Sequence, residues 1–154
     1  MNLLLFAAVT AVALHQMSAC EFRTGSLYSP GDRFHEKQDK KAKTWSIELE
    51  EDLSELQLKM TYNDGRVWTN NKINGVLLCD EDENAEPFKK MLYTSIGIDS
   101  CDFPQGKYEA DEVNEYPDDV CSKVSEVTEE NDSVIYLTVM KDDDELLHVR
   151  VHKE

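Results

Sequence analysis

Three histidines follow the first nineteen residues, and they are the side chains best suited to acid–base or metal chemistry: His35, His148 and His152. His148 and His152 lie four residues apart in an alternating, strand-like segment. Four residues of strand span about 13 Å, far more than the ~4 Å at which two ligands share one metal ion. The chain has no G-x-S-x-G motif and no glycine-rich phosphate loop. We therefore expect a protein that is not an enzyme and that has no metal site or cofactor.

Carboxylates are so abundant that a pair of them carries little information. A glycosidase needs two acids on rigid elements beside a cleft, whereas most acids here lie between hydrophobic segments, where loops are expected. The segment Asp80-x-Asp82-x-Asn84 begins like an EF-hand loop. Ala85 then replaces the required glycine, and Met91 replaces the bidentate glutamate. An EF-hand is excluded, and only weak, nonspecific calcium binding stays open.

The strongly acidic charge balance restricts the partners of the chain. Acidic residues number 32 and basic residues 16, which gives a net charge of −16. Such a polyanion is repelled by the phosphates of DNA and RNA and by anionic membrane surfaces. This charge favours binding to a cationic protein or to calcium, or a role in an acidic compartment. An alternative is that the charge only maintains solubility. Nucleic acid is excluded as a partner.

The first nineteen residues have the pattern of a secretory signal peptide. An apolar run from Leu3 to Leu14 is shorter than the ~20 residues of a spanning helix, and small residues follow it up to Ala19. We predict cleavage after Ala19, which leaves residues 20–154 as a single β domain that is not an integral membrane protein. The expected location is extracellular or the lumen of an acidic compartment.

The four cysteines should form disulfides in that oxidising environment: Cys20, Cys79, Cys101 and Cys121. Four cysteines allow three pairings, and the spacing alone does not choose among them. A bacterial lipobox with Cys20 as the lipid anchor is disfavoured, because it would leave an odd number of cysteines and because no Lys or Arg precedes the apolar run. Asn131 begins an N-x-S glycosylation sequon, and its occupancy stays open.

Alternating apolar and polar residues predict a mainly β protein. The alternation runs through residues 45–49, 56–62, 135–139 and 147–151, and the last two runs form a C-terminal hairpin around four acidic residues. Asn63-Asp64-Gly65 predicts a hairpin turn, and Asn74-Gly75 predicts a second turn. The spacing indicates an antiparallel β-sandwich of about seven to eight short strands.

The segments between these runs have weaker signals. Pro87 followed by Phe88, Met91 and Leu92 at helical spacing predicts a short helical insertion over residues 86–93. Residues 96–98 read as a short extended piece, and the polar region after residue 101 shows little sign of a helix. Residues 25–31 are punctuated by glycine, serine and proline. The charged clusters at 33–43, 80–86, 109–119 and 142–145 are expected to be loops.

Residues 96–108, IGIDSCDFPQGKY, resemble a signature of secreted ML-type lipid-recognition domains and the related ganglioside-activator proteins. The shared features are a cysteine, an apolar residue, then a glycine and a tyrosine that enters a strand. An early proline–glycine segment at residues 28–32 and an aromatic strand from Trp68 to Cys79 are also similar. The family usually has six cysteines, whereas this chain has four. The resemblance implies a cup-shaped sandwich that holds an acyl chain or a sterol between its sheets, without catalysis.

The resemblance also implies two disulfides, Cys79–Cys101 and Cys20–Cys121. It places the large apolar side chains around a lipid or another hydrophobic small molecule: Trp45, Met60, Trp68, Phe88, Met91, Leu92 and Phe103. Each of these suits an ordinary core equally well. The helical stripe of Phe88, Met91 and Leu92 is the best candidate, because it interrupts the sandwich pattern. Two alternatives stay open: an acidic inhibitor or immune modulator that binds a cationic protein, and an acidic matrix- or calcium-associated protein.

Overall fold

The computed structural model describes residues 20–63, 68–128 and 134–154, and it describes the side chains of those residues except 63 and 68–72. The predicted signal peptide, the Asp64-Gly65 part of the first turn and the Asn131 sequon lie outside the described residues. The predicted single domain of residues 20–154 stays a prediction.

The described residues form two antiparallel sheets and two helices, which confirms the predicted mainly β sandwich. In chain order the elements are β1 (Cys20–Tyr28), β2 (Phe34–Asp39), β3 (Thr44–Leu49), β4 (Gln57–Asn63), β5 (Trp68–Leu77), α1 (Glu86–Ile96), β6 (Gly106–Asp111), β7 (Val113–Tyr116), α2 (Asp118–Thr128), β8 (Val134–Lys141) and β9 (Asp144–Lys153). The larger sheet has the strand order β5-β4-β8-β9-β1-β7, and the smaller sheet has the order β2-β3-β6. The nine described strands exceed the seven to eight that were predicted.

The strands with clear alternation bury the predicted side of each strand. Leu58 and Met60 of β4 and Ile47 of β3 are at most 1% exposed. The C-terminal hairpin is confirmed, since β8 and β9 pair along their length and Leu137 faces Val149. These side chains join one apolar cluster to which both sheets and both helices contribute.

Strand β1 continues into the glycine- and proline-punctuated segment at residues 25–31 as far as Tyr28. Phe22, Thr24 and Leu27 of β1 are buried between the sheets. The pairing of β1 with β9 shifts between Thr24 and Ser26, so Gly25 is the extra residue of a bulge. The bulge moves the inward positions from even to odd numbers, which hides the period-two pattern in the sequence.

The predicted second turn at Asn74-Gly75 was wrong, because both residues lie within β5. Lys59 of β4 faces Asn74 and Leu58 faces Val76, so Gly75 bulges out of the ladder. Gly75 has φ +78°, a left-handed value that glycine adopts without a Cβ clash. An Asn-Gly pair therefore produced a positive φ here without reversing the chain.

The region after Cys101 contains a helix, contrary to the prediction. Pro117 precedes α2, Asp118 and Asp119 occupy its first turn, where acidic side chains favour a helix N-terminus, and Val120 and Val124 are buried one turn apart. Proline commonly marks a helix start, so Pro117 is the sequence signal that points to this helix. The extended piece at residues 96–98 was wrong as well, because Ile96 ends α1.

Several charged clusters predicted as loops form strands. The first part of the 109–119 cluster contributes to β6 and β7, its last two residues begin α2, and part of the 33–43 cluster forms β2. The charges on these strands alternate with inward positions, as Phe34 and Ala110 are buried. The acidic segments before α1 and between β8 and β9 are turns at their centres, as expected.

Tyr116, at the end of β7, is 4% exposed, and its hydroxyl has no hydrogen bond of regular geometry among the described residues. Burial raises the pKa of Tyr116 to about 12, against a smaller opposing effect of the nearby Ser95 and Thr94 hydroxyls. An unfolded tyrosine ionises near pH 10. Below pH 10 both states keep the proton, whereas between about pH 10 and 12 only the unfolded state loses it.

We expect the free energy of unfolding to fall over that alkaline interval by roughly 2–3 kcal/mol on account of Tyr116. Tyr116→Phe removes this part of the decline. Urea unfolding at pH 8 and at pH 11 measures the part of the decline present by pH 11, about 1.4 kcal/mol, with Tyr28→Phe at an exposed ring as the control. The pKa of Tyr93 is also raised to about 12, mainly by burial. Tyr93 therefore contributes the same alkaline loss of stability in the original protein and in both variants. An identical decline in Tyr116→Phe and Tyr28→Phe contradicts the prediction.

Candidate ligand-binding site

Six of the seven side chains proposed to line a ligand cavity lie in the single apolar cluster between the sheets. Trp45 is on β3, Met60 on β4, and Phe88, Met91 and Leu92 are on α1; Phe103 lies in the segment between α1 and β6. All six are buried, from 0% to 7% exposed. The seventh residue, Trp68, begins β5, and its side chain is outside the described part.

The helix α1 presents this stripe to the interior because of its sequence. Pro87 lies in the first turn, where a missing N–H costs nothing, and Glu86 favours the helix N-terminus. Phe88, Met91 and Leu92 then recur at helical spacing on the buried side. The helix contacts β3 and β6 of the smaller sheet and also α2.

Two of the cluster's aromatic residues are fixed by specific contacts. The indole N–H of Trp45 donates to the carbonyl of Thr24 at 3.1 Å, which ties β3 of the smaller sheet to β1 of the larger one. The ring of Phe103 packs edge-on against Phe34, with centroids 6.4 Å apart. The backbone of Phe103 also exchanges hydrogen bonds with Leu53 at 2.8 Å.

A buried lysine in α1 was missed by the sequence analysis. Lys89 is 2% exposed, and its Nζ donates to the backbone carbonyl of Asp80 and to the Glu86 carboxylate at 3.2 Å. These contacts fasten the acidic turn before α1 onto the helix. The sequence signal for a buried Lys89 is its position next to Phe88, between residues of the apolar helical stripe.

Both disulfides implied by the family resemblance are confirmed. Cys20 bonds to Cys121 and joins β1 to α2, while Cys79 bonds to Cys101 and joins the two ends of the α1 segment. No cysteine is free. The sulfurs of Cys79 and Cys101 lie within 4.8 Å of an Asp102 oxygen, but disulfide sulfurs are not the thiolates that bind metals.

Surface depressions lined by described residues include the following three, and none of these three is lined by the seven proposed residues. One of about 560 Å³ lies beside the Cys20–Cys121 disulfide between β1, β9 and α2. A second, about 240 Å³, lies between residues 30–33 and 144–146. A third, about 250 Å³, includes Leu56, Leu77 and Asp80 near Cys79.

The histidines occupy separate local environments. His35 Nε2 lies 3.4 Å from the Glu50 carboxylate on the smaller sheet. His148 Nε2 lies 3.1 Å from Glu145, and its ring stacks on Tyr28 with centroids 6.1 Å apart. His152 shares the outer face of β9 with His148 and Arg150, because these three alternate with the buried residues 147, 149 and 151.

No protein-family model and no curated protein sequence matches this chain. Neither described helix, at 11 residues each, has the length and apolar content needed to cross a bilayer.

Proposed function

We propose that this protein is a secreted, non-catalytic binding protein that holds a lipid or another hydrophobic ligand between its two sheets. The observation that carries the proposal is the convergence of the Phe88, Met91 and Leu92 stripe with Trp45, Met60 and Phe103 in one apolar cluster. Two further findings support it: the disulfide pairs agree with those of the lipid-recognition proteins that the chain resembles, and disulfides suit an extracellular location.

Ligand binding requires side chains of the cluster to rearrange, because each of them is in contact with its neighbours. Met60 and Met91 are suited to this, since methionine has three rotatable bonds and a polarisable sulfur that adapts to different shapes. Both sheets stay tied together by the Trp45–Thr24 hydrogen bond on one side of the core. We propose that the ligand enters on the side of α1.

A cavity variant tests this site. Met91→Ala should cost roughly 2–5 kcal/mol of stability and leave apolar space that a ligand in the proposed site can refill. A fatty acid or a sterol should then raise the melting temperature of Met91→Ala more than that of the original protein, since a ligand at about 100 times its Kd adds about 2.7 kcal/mol. Leu147→Ala loses a similar buried volume in the same cluster but on β9 of the larger sheet, so a ligand beside α1 should rescue it less than Met91→Ala.

Mass spectrometry of an organic extract of the purified protein provides the second measurement. Co-purifying lipid together with selective rescue of Met91→Ala supports the proposal. An empty extract, with no melting shift from either ligand in any variant, contradicts it.

A cationic protein partner is the second candidate, and the depression near Cys79 favours it. Its apolar floor includes Leu56 and Leu77, which is 38% exposed, and its rim includes Glu55, Asp80 and Asp102. A lysine or arginine side chain matches this combination, because its stem is apolar and its end is charged. Capture of a cationic partner that moderate salt abolishes, and that Asp80→Asn with Asp102→Asn weakens, distinguishes this function from lipid binding.

A further inference from the structure

The outer face of the larger sheet carries a basic pair, Arg150 and His152, in a chain with a net charge of −16. Both residues are on β9, two positions apart, so their side chains leave the same face of the sheet. Both are half-buried. Their cross-strand neighbours are Tyr136 and Val134 on β8 and Ser26 and Arg23 on β1.

Gly25 brings the ends of the two basic side chains together. A Cβ at Gly25 would lie 3.2 Å from Arg150 Nη1 and 3.2 Å from His152 Nδ1, so these nitrogens are separated by no more than twice that distance. The space that a side chain at this bulge would occupy is therefore filled by the ends of Arg150 and His152. The backbone of Gly25 does not require glycine, since it is outside the left-handed region.

Three other basic side chains of the larger sheet lie beside acids, whereas this pair does not. Arg23 binds the carboxylates of Glu112 and Glu154, and Glu145 lies beside both Lys59 and His148. Among the described residues, neither the Arg150 side chain nor the His152 side chain has an ion-pair or hydrogen-bond partner. The positive charge of Arg150 and the side-chain N–H donors of both residues are therefore not bound to any described residue.

The imidazole of His152 is oriented by its packing. Nδ1 is buried against Gly25 and has no hydrogen-bond partner among the described residues. A buried N–H without an acceptor is costly, which favours the ring form with its hydrogen on Nε2. Nε2 then carries the N–H donor of the ring, and unlike Nδ1 it is not buried.

We propose that Arg150 and His152 form a binding site for a phosphate or sulfate group. A guanidinium offers a planar fork of N–H donors that matches two oxygens of such an anion, and His152 Nε2–H supplies a donor from the adjacent position. Arg23, already bound to two carboxylates, closes the site on the β1 side. The site is on the outer face of the sheet, so it does not depend on a hydrophobic ligand between the sheets.

Titration of the mature protein with inorganic phosphate, at constant ionic strength with chloride as the reference anion, tests the site. We expect phosphate to shift the NMR signals of the Arg150 guanidinium and the His152 ring, and Arg150→Gln to weaken binding by about tenfold or more. Lys107→Gln on the smaller sheet makes the same change in net charge at an exposed, distant side chain and should leave the affinity unchanged.

Gly25→Ala provides a variant without any change in charge. Its Cβ must displace the ends of Arg150 and His152 by a few tenths of an ångström, so phosphate binding should weaken while the fold and the net charge stay the same. Equal affinities in Arg150→Gln and Lys107→Gln, or shifts that chloride reproduces, overturn the proposal.

The source of the phosphate group is distinguished with two probes. Glycerol phosphate represents a soluble phosphate ester, and phosphatidylcholine vesicles containing phosphatidic acid represent a lipid headgroup. Arg150-dependent binding of glycerol phosphate alone assigns a soluble ligand, and Arg150-dependent binding of the vesicles as well assigns a headgroup; both support the site. Failure of both probes and of inorganic phosphate to bind contradicts it.

Discussion

Replacing Gly97 with alanine is expected to destabilise the protein by about 3–4 kcal/mol, since it combines a left-handed backbone with a steric clash. Gly97 ends α1 with φ +74°, and its N–H donates to the carbonyl of Tyr93 at 2.9 Å. A Cβ at this position would lie 2.3 Å from the carbonyl oxygen of Glu109 on β6. Backbone atoms cannot move aside as a flexible side chain can, so α1 and β6 would have to separate.

Gly75→Ala is the matched control. Gly75 has nearly the same backbone conformation, φ +78°, but a Cβ there would meet no atom within 4 Å. It should lose only the conformational contribution, roughly 1–2 kcal/mol. Urea unfolding of both variants at the same pH compares them directly. Equal losses would show that the close approach of α1 to β6 does not limit the side chain at residue 97.

The same variant bears on the proposed ligand site. Gly97 fixes the end of α1 against β6, and the buried stripe of Phe88, Met91 and Leu92 lies on that helix. Displacement of α1 should therefore loosen the apolar cluster. Lipid binding that survives in Gly97→Ala, despite the lost stability, would place the ligand away from α1.

The elements that were predictable from sequence are those whose alternation is uninterrupted. β3 shows this through Trp45 and Ile47, and β8 and β9 show it through Leu137 and Val149, because each strand has one buried face and a regular register. β1 was not predictable in the same way. Its bulge at Gly25 changes the parity of the inward positions, and the information needed to interpret it is its pairing with β9.

The two candidate sites differ in how much of each could be predicted from the sequence. The pattern placed Met91 and Leu92 on the apolar side of a helix, and their burial follows from the spacing alone. The shared face of Arg150 and His152 was also visible in the alternation of β9. Their approach to each other over Gly25 was not, because it depends on a strand more than a hundred residues earlier in the chain.

The two disulfides close loops of different length, and their removal should have correspondingly different costs. Cys20 and Cys121 are 101 residues apart, and Cys79 and Cys101 are 22 apart. In the chain-entropy model the longer loop is worth about 4.7 kcal/mol and the shorter one about 3.4 kcal/mol. The shorter loop lies inside the longer one, but it alters the longer loop's closure entropy little, because that entropy depends on the logarithm of length.

We therefore expect the Cys20→Ala, Cys121→Ala double variant to lose more stability than the Cys79→Ala, Cys101→Ala double variant. The first pair joins β1 to α2, so the loss should also appear as faster amide exchange in α2, whereas the second pair should affect the acidic turn before α1. Guanidinium unfolding under non-reducing conditions gives the free energy of unfolding of each double variant. Single variants are avoided, because each would leave a free thiol. A larger loss from the Cys79–Cys101 pair would mean that local contacts around α1, and not the entropy of the unfolded chain, determine what these disulfides contribute.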